Sequence, residues 1–172
     1  MFFDRVRVPR ANLVGELNQG WTIAKALLGF ERIFVGSPQQ SQYALGQLAR
    51  VAAAKGLFGD REFAARYAEA VLDVADLCAA YAHFATIVKR GDALPQSVSL
   101  LKIWATETYG RIGMLLAESA DEHGANAGEA DFGALRMNAL APLLNSAVTT
   151  IYAGTNEIQR NIIAKHVLEL PG

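Results

Sequence analysis

The chain has 172 residues with a formal net charge of −1, of which 52% are apolar and only 19% charged. A chain of this length can bury one sizeable core. The near-neutral charge argues against nucleic acid or an anionic membrane as a partner, since both are bound through basic surfaces.

The cysteine content and the start of the chain indicate in which cellular compartment the protein is expected. Cys78 is the single cysteine, which excludes an internal disulfide and a cysteine metal cluster. No uninterrupted apolar run approaches the roughly 20 residues of a membrane span. The opening "MFFDRVRVPRANLVGE" has charges where a signal peptide would be apolar. We therefore expect a cytoplasmic protein without a membrane span.

The first third of the chain is predicted to form a strand and then a helix. "MFFDRVRVP" alternates weakly and ends at Pro9, which favours one strand. A lone strand is not a stable unit, so we expect it to belong to a larger structure. From Trp21 to about Ala54 the pattern is helical, with a possible kink at Pro38. Asp60 is a good N-cap for the next helix.

The remaining pattern predicts a helical bundle. An apolar stripe with alternating spacings of four and three is typical of a long bundle helix. It consists of Phe63, Tyr67, Ala70, Val74, Leu77, Tyr81, Phe84 and Val88. A third helix carries a second stripe, formed by Leu101, Ala105, Thr108, Ile112 and Leu115.

A polar, glycine-rich loop is predicted over 121–133, and a fourth helix from about Leu135. The fold class is all-α: an antiparallel four-helix bundle with a short N-terminal β/loop segment and a C-terminal helix.

The end of the chain contains a capped turn in "TIYAGTNEIQRNIIAKHVLEL", residues 150–170. Ala153-Gly154 ends a β-branched run, and Thr155 is a suitable N-cap with Glu157 in the first helical turn. The helix N-terminus behind it can hold an anion or polar ligand atoms. By spacing alone, the simplest interpretation is an ordinary capped helix.

Two longer motifs point to a known family. "IYAGTNEIQRNIIAKHVL" resembles the C-terminal signature of the acyl-CoA dehydrogenase family, and "FFDRVRVPRANLVGELNQGW" resembles its last middle-domain strand and the following loop. The motifs lie in the family's order, so the resemblance covers nearly the whole chain. It implies that residues 1–20 end the middle β-domain and residues 21–172 form the C-terminal helical-bundle domain. Without the family's other domains, the chain alone is expected to be weakly active or inactive.

The resemblance also implies a reaction. In this family a carboxylate removes the α-proton of an acyl-CoA thioester while a β-hydride passes to FAD, which gives a trans-2-enoyl-CoA. Such a carboxylate must be desolvated to serve as the base. An electron-transfer flavoprotein is the expected electron acceptor, and an acyl-CoA oxidase remains an alternative. No metal is expected.

The base usually found before the Gly-Thr pair is absent, because Ala153 stands there. Another branch of the family carries the base in a Glu-Arg pair on the first bundle helix, which Glu31-Arg32 matches. The residues one helical turn away from Glu31 are apolar: Leu27, Leu28, Phe34 and Val35. We therefore expect Glu31 to be the base and the Ala153 backbone N–H to bind the thioester oxygen, with Arg32 and Gly154 near the substrate. The simpler alternative is a Glu31 that is paired in the tertiary structure.

Each FAD of the family lies across a subunit interface. The resemblance implies that Thr155 and Glu157 contact the flavin of their own subunit. Lys55, Phe58 and Gly124 match the positions that reach the partner's flavin. That second set departs from the family pattern, because Lys55 replaces an arginine.

Three acidic residues replace a glutamine and two glycines of the second set: Glu118, Asp121 and Glu122. Negative charge is unfavourable near a pyrophosphate. This pattern favours a base-supplying subunit of a hetero-oligomer, while sequence drift within a homo-oligomer is the alternative.

Two other classes of protein are built from helical bundles like this one. A non-catalytic helical subunit would serve only oligomerisation. A carboxylate-bridged di-iron bundle needs Glu-x-x-His pairs, and His83, His123 and His166 each lack a glutamate three residues upstream.

Overall fold

The computed structural model describes residues 1–171, except for the side chains of residues 28–30. The longer helices are α1 (Gly20–Val35), α2 (Gln39–Lys55), α3 (Arg61–Lys89) and α4 (Ser99–Ser119). A short hairpin follows, formed by β1 (Ala130–Phe132) and β2 (Leu135–Met137), and the chain ends with α5 (Ala141–Thr149) and α6 (Asn156–His166). The predicted all-α bundle is confirmed.

Helix α4 lies at the centre of the molecule and packs against the five other α-helices. Its predicted stripe is buried throughout, from Leu101 to Leu115. One core cluster joins α4 to α2, to the first half of α3 and to the hairpin. A second cluster joins α4 to α1 and the second half of α3. The central position of α4 means that its polar side chains are positioned by several elements at once.

Helix α3 confirms the clearest sequence prediction. It is one continuous helix over Arg61–Lys89, and its eight-residue apolar stripe lies in or against the two core clusters. Asp60 caps it as predicted, because its carboxylate accepts hydrogen bonds from the backbone N–H groups of Glu62 and Phe63, at 2.8 and 3.4 Å. By length and composition alone, α3 could also cross a membrane, with a mean hydropathy of 1.5 over its most apolar window. Core helices of soluble proteins pass the same test, so the absence of a span stays a prediction.

The single helix predicted from Trp21 to about Ala54 is wrong, because the chain breaks into α1 and α2 around Gly36 and Pro38. Gly36 approaches α4 so closely that a Cβ there would lie 2.5 Å from Leu101 Cβ. The break therefore lets the chain pass directly over α4, and Pro38 is the N-cap residue of the next helix.

The predicted N-terminal strand is not formed: residues 1–9 contain no strand and are exposed. A strand requires a hydrogen-bonded neighbour, and this segment has none among the described residues. The segment 121–133 was predicted as loop, but it ends in β1. The fourth predicted helix begins at Ala141, because Leu135 belongs to β2. The hairpin forms because Phe132 and Leu135 point into the core.

Candidate functional site

The turn between α5 and α6 has an unusual backbone. Ala153 has a φ of +54° and Gly154 a φ of +82°, so two consecutive residues are left-handed. For alanine this conformation costs roughly 1–2 kcal/mol. At Gly154 a Cβ would also lie 2.8 Å from the Gln159 side-chain nitrogen. Glycine is therefore required at 154, whereas Ala153 is held in a strained conformation by its surroundings.

Hydrogen bonds from α6 hold this turn from one side. The Thr155 hydroxyl accepts from the Ile158 N–H at 3.3 Å, which confirms the predicted N-cap. The buried Gln159 amide donates to the carbonyl oxygens of Ala153 and Gly154, at 3.3 and 3.4 Å. Within the part of the chain that the structure describes, the Ala153 and Gly154 N–H groups have no acceptor. The carbonyls of Ala153 and Gly154 are therefore bonded within the domain, while their N–H groups remain available as donors.

Lys102 of α4 holds the turn from the other side. Its side chain is fully buried. The ammonium donates to the Thr150 carbonyl at 2.9 Å and to Asn156 Oδ1 at 2.6 Å. These two residues stand at the two ends of the turn, so a single ammonium fixes both ends to the central helix. Asn156 also closes the turn through its backbone N–H, which donates to the Thr150 carbonyl at 3.0 Å.

A polar network continues from Asn156 along α4 and α6. The side-chain amide nitrogen of Asn156 donates to Thr106 Oγ1 at 3.1 Å and to Glu107 Oε1 at 3.3 Å. Arg160 donates to the same Glu107 oxygen at 2.6 Å. The network thus connects the strained turn to both helices and ends at the surface with an ion pair.

The electrostatics of the network follow from burial. Burial lowers the pKa of Lys102, because an ammonium loses its hydration there, and the negative charges of Glu157 and Glu107 oppose that shift. At the start of α6, a hydrogen bond from its own backbone N–H lowers the pKa of the exposed Glu157 carboxyl, and a second hydrogen bond to Thr155 acts in the same direction. Glu157 is therefore an anion at the helix N-terminus, where the dipole favours it.

Lys102 was not predicted as a site residue from the sequence. The available signal was its position: Lys102 directly follows Leu101 and precedes Ala105 on the buried side of α4, where a lysine is uncommon unless it is paired.

The predicted base, Glu31, lies on α1 and is half-buried. It forms no ion pair with any residue that the structure describes. Its apolar neighbours Leu27 and Phe34 are 62% and 73% exposed, and the side chain of Leu28 lies outside the described residues. This chain alone therefore covers Glu31 only in part, and full desolvation of the carboxylate would require something else to cover this face of α1.

Arg32 is held by a hydrogen bond within this chain. Its guanidinium donates to Gln96 Oε1 at 3.0 Å, in the connection between α3 and α4. The predicted substrate contact of Arg32 remains a prediction.

The end of α1 and the strained turn share one surface cleft. It has a volume of about 280 Å³ and is lined by Phe34 and Val35 of α1, by Gln39 and Gln40 of α2, and by Tyr152. Glu31 lies one helical turn before Phe34 and Val35. The structure thus brings the helix that carries Glu31 and the turn that carries Ala153 to the same side of the bundle.

The positions predicted for the second half of the flavin site also lie together, at the other end of α4. Lys55 donates to the Ser119 carbonyl at 2.6 Å and forms an ion pair with Asp121. Glu118 pairs with Arg66 at 2.7 Å. The ammonium of Lys55 is therefore already neutralised, and this end does not fit a pyrophosphate.

Packing within this chain explains why Phe58 and Gly124 occupy their positions. The Phe58 ring packs edge-on against Phe63 and Tyr67, with centroids 5.7 and 5.1 Å apart. A Cβ at Gly124 would lie 1.9 Å from the Ala117 carbonyl oxygen, so only glycine fits there. Their flavin contacts remain predictions.

The chain is similar to known proteins along its whole length. Residues 18–168 match the family model described as acyl-CoA dehydrogenase, C-terminal domain. The protein named acyl-CoA dehydrogenase IpdE1 from Mycobacterium tuberculosis is 32% identical over 99% of this chain and 43% of its own length. The chain thus spans less than half of that relative.

Two solved structures share the fold. The structure titled Tcur3481-Tcur3483 steroid ACAD matches 99% of this chain and 44% of its own, with a TM-score of 0.85 at 20% identity. A chain of the ChsE4-ChsE5 complex from Mycobacterium tuberculosis matches 99% of this chain and 46% of its own, with a TM-score of 0.69 at 26% identity.

Proposed function

The chain belongs to the acyl-CoA dehydrogenase family, through that family's C-terminal domain, and we propose that it supplies the α-proton base and the thioester-oxygen donor for desaturation of an acyl-CoA. Glu31 is the base, and the Ala153 backbone N–H is the donor. The observation that carries this proposal is the strained turn at Ala153-Gly154, which keeps its backbone donors unused beside the cleft that α1 lines.

Each residue has a separate task in this proposal. The Glu31 carboxylate accepts the α-proton, for which it must lie within hydrogen-bond reach of the α-carbon and be shielded from water. The Ala153 N–H donates to the thioester oxygen, which becomes more negative as the proton leaves. An alanine serves there as well as a glutamate, because only the backbone takes part. Arg32 and Gly154 border the substrate.

In this proposal, the two ends of the domain play different parts toward FAD. When bound, FAD supplies the acceptor for the β-hydride, and Thr155 and Glu157 would contact it at the N-terminus of α6. At the opposite end Lys55 is occupied by Asp121 and the Ser119 carbonyl. A partner's FAD would find no unpaired cation at Lys55, which supports a hetero-oligomer in which another subunit supplies those contacts.

Association with further protein is supported by the exposed apolar side chains. Helices α5 and α6 and the turn between them leave several exposed: Leu144, Val148, Ile151, Tyr152 and Ile158. Patches of this kind mark interfaces. We expect bundle-to-bundle packing in an oligomer, an electron-transfer flavoprotein as the electron acceptor, and weak or no activity for the 172 residues alone.

The test replaces Glu31 by Gln in the flavin-loaded assembly that contains this chain. The amide keeps the shape but accepts no proton, so α-proton exchange with D₂O and flavin bleaching by acyl-CoA should fall on the order of 10²–10⁴-fold. FAD content should remain near that of the wild type. Glu16→Gln is the matched control, because it removes an exposed carboxylate just before α1. Turnover near the wild-type rate in Glu31→Gln would refute the base assignment.

A non-catalytic oligomerisation subunit is the second candidate. The neutralised Lys55 and the absence of a carboxylate at Ala153 favour it. It predicts no FAD binding even with a partner, and no effect of Glu31→Gln. If FAD binds and is reduced, rapid reoxidation by O₂ alone would identify an oxidase instead.

A further inference from the structure

We propose that Lys102 is a positioning residue that holds the strained turn in its donor-presenting conformation, so that the Ala153 N–H points at the reacting oxygen. The inference rests on the proposed function for the identity of that oxygen. The anchoring of the turn rests on geometry alone.

The ammonium of Lys102 lies between the central helix and the two ends of the turn. Lys102 is fully buried on the central helix α4, and its hydrogen bonds go to Thr150 and Asn156. Thr150 is the C-cap residue of α5, and Asn156 is the first residue of α6. One point on the central helix therefore anchors both ends of the turn to α4.

The hydrogen bond from the Asn156 N–H to the Thr150 carbonyl at 3.0 Å joins the two ends of the turn to each other but not to α4. The other restraint on the residues between them is weak. Between Thr150 and Asn156 the turn is partly exposed, and the Gln159 amide reaches its carbonyls only at 3.3 and 3.4 Å. Those distances are long for hydrogen bonds. A left-handed alanine relaxes unless its surroundings over-determine it. The two short contacts of Lys102 are the stronger restraint, since they involve a charged donor.

The position of the Ala153 N–H matters for the proposed reaction. A backbone donor stabilises a developing oxyanion only when it is held in position before the reaction. A misplacement of about 1 Å can cost on the order of 10²-fold in rate. Lys102 is too deeply buried to touch the substrate, so its contribution passes through the backbone of the turn.

The experiment compares Lys102→Met with the wild type in the flavin-loaded assembly. Methionine has a similar length and no charge, so the packing is largely kept while both hydrogen bonds are lost. We expect faster hydrogen exchange of the backbone amides between Thr150 and Glu157. We expect kcat for acyl-CoA oxidation to fall about 10–100-fold, with a much smaller change in KM. The red shift of a bound conjugated 2-enoyl-CoA, which reports polarisation of its carbonyl, should shrink.

Two further variants separate positioning from stability. Leu116→Ala removes fully buried packing from the same helix without touching the turn. It should lower the unfolding temperature while leaving kcat and the red shift of the folded enzyme near the wild type. Asn156→Ala removes the partner amide, and the Lys102→Met/Asn156→Ala double variant should lose little more than either single variant, because the residues act as one unit.

The outcomes are distinct. If Lys102→Met keeps the kcat, the red shift and the amide protection of the wild type, the inference is overturned. It is also overturned if Leu116→Ala lowers the unfolding temperature as much as Lys102→Met does and loses as much kcat. If the wild-type assembly does not oxidise acyl-CoA at all, the proposed function fails. Amide exchange then still decides whether Lys102 anchors the turn.

Discussion

The ammonium of Lys55 and the carboxylate of Asp121 form an ion pair that joins the end of α2 to the turn after α4. Asp121 adopts a φ of +50°, in the left-handed region. A second acceptor, the Ser119 carbonyl, lies 2.6 Å from the same ammonium. The pair therefore both neutralises Lys55 and fixes the turn that the sequence assigns to a flavin contact.

Replacing Asp121 by Gly should release Lys55 at little cost in stability. Glycine accepts the left-handed conformation, and an ion pair whose carboxylate is 64% exposed contributes only about 0–1 kcal/mol. We expect the midpoint of thermal unfolding to change by a few degrees at most, and pyrophosphate affinity at this end of the bundle to rise. Calorimetric titration with pyrophosphate is the measurement. Asp131→Asn is the control, since it removes the charge of an exposed carboxylate in β1. Equal affinities in the two variants would argue against a local effect.

Gly124→Ala should destabilise the protein through the turn after α4. The added Cβ would meet the Ala117 carbonyl oxygen at 1.9 Å and its carbonyl carbon at 2.7 Å, so the backbone must move. Overpacking of this kind costs about 1–3 kcal/mol, and sometimes more. The midpoint of thermal unfolding measures this loss of stability. Gly46→Ala is the matched control, because Gly46 lies within α2 with open space around its Cβ position, and alanine should stabilise that helix by up to about 1 kcal/mol. Equal unfolding midpoints for the two variants would contradict the packing role of Gly124.

Particular residues show how far the sequence determines this structure. The α3 stripe was predictable because eight apolar residues keep one helical period, and Asp60 because N-capping depends on local sequence. The strained turn was predictable in position from Ala153-Gly154-Thr155. Its anchor was not, because the partners of Lys102 come from segments 48 and 54 residues away. The break at Gly36 also depends on a tertiary contact, with Leu101. The hairpin was missed because its strands are only three residues long.

Lys102→Met should show a pH-dependent effect on stability. The pKa of Lys102 is lowered by burial in the folded protein, against an ordinary value of 10.5. Between these two values the unfolded state binds more protons than the folded state, so this group makes the free energy of unfolding rise with pH. Below the folded-state pKa the cost of burying the charge is fully present. Glu107, Glu157 and Arg160 are the charged groups nearest to the network.

The wild type should therefore gain stability relative to Lys102→Met as the pH rises toward the ordinary lysine pKa of 10.5. Urea unfolding at several pH values measures this difference. Lys25→Met provides the control, since it removes an exposed ammonium from α1. A difference between wild type and Lys102→Met that stays constant or shrinks over this range would show that Lys102 does not titrate as described.

Ala153→Glu in the Glu31→Gln background should restore part of the lost activity. The family resemblance implies that a glutamate at either position reaches the same α-carbon. The structure supports the exchange, because the cleft lined by Phe34 and Val35 also includes Tyr152, the neighbour of Ala153. A glutamate meets the same left-handed backbone that alanine already tolerates, so little additional strain is expected.

The measurement is flavin bleaching by acyl-CoA in the loaded assembly, with Ala153→Gln in the same background as the matched control. The glutamine variant has the same size but accepts no proton, so its rate should stay at the level of Glu31→Gln. We expect the glutamate variant to exceed that level by on the order of tenfold, less than full recovery, because the base would approach from a new direction. Equal rates for the glutamate and glutamine variants would mean that the two positions do not serve one α-carbon in this protein.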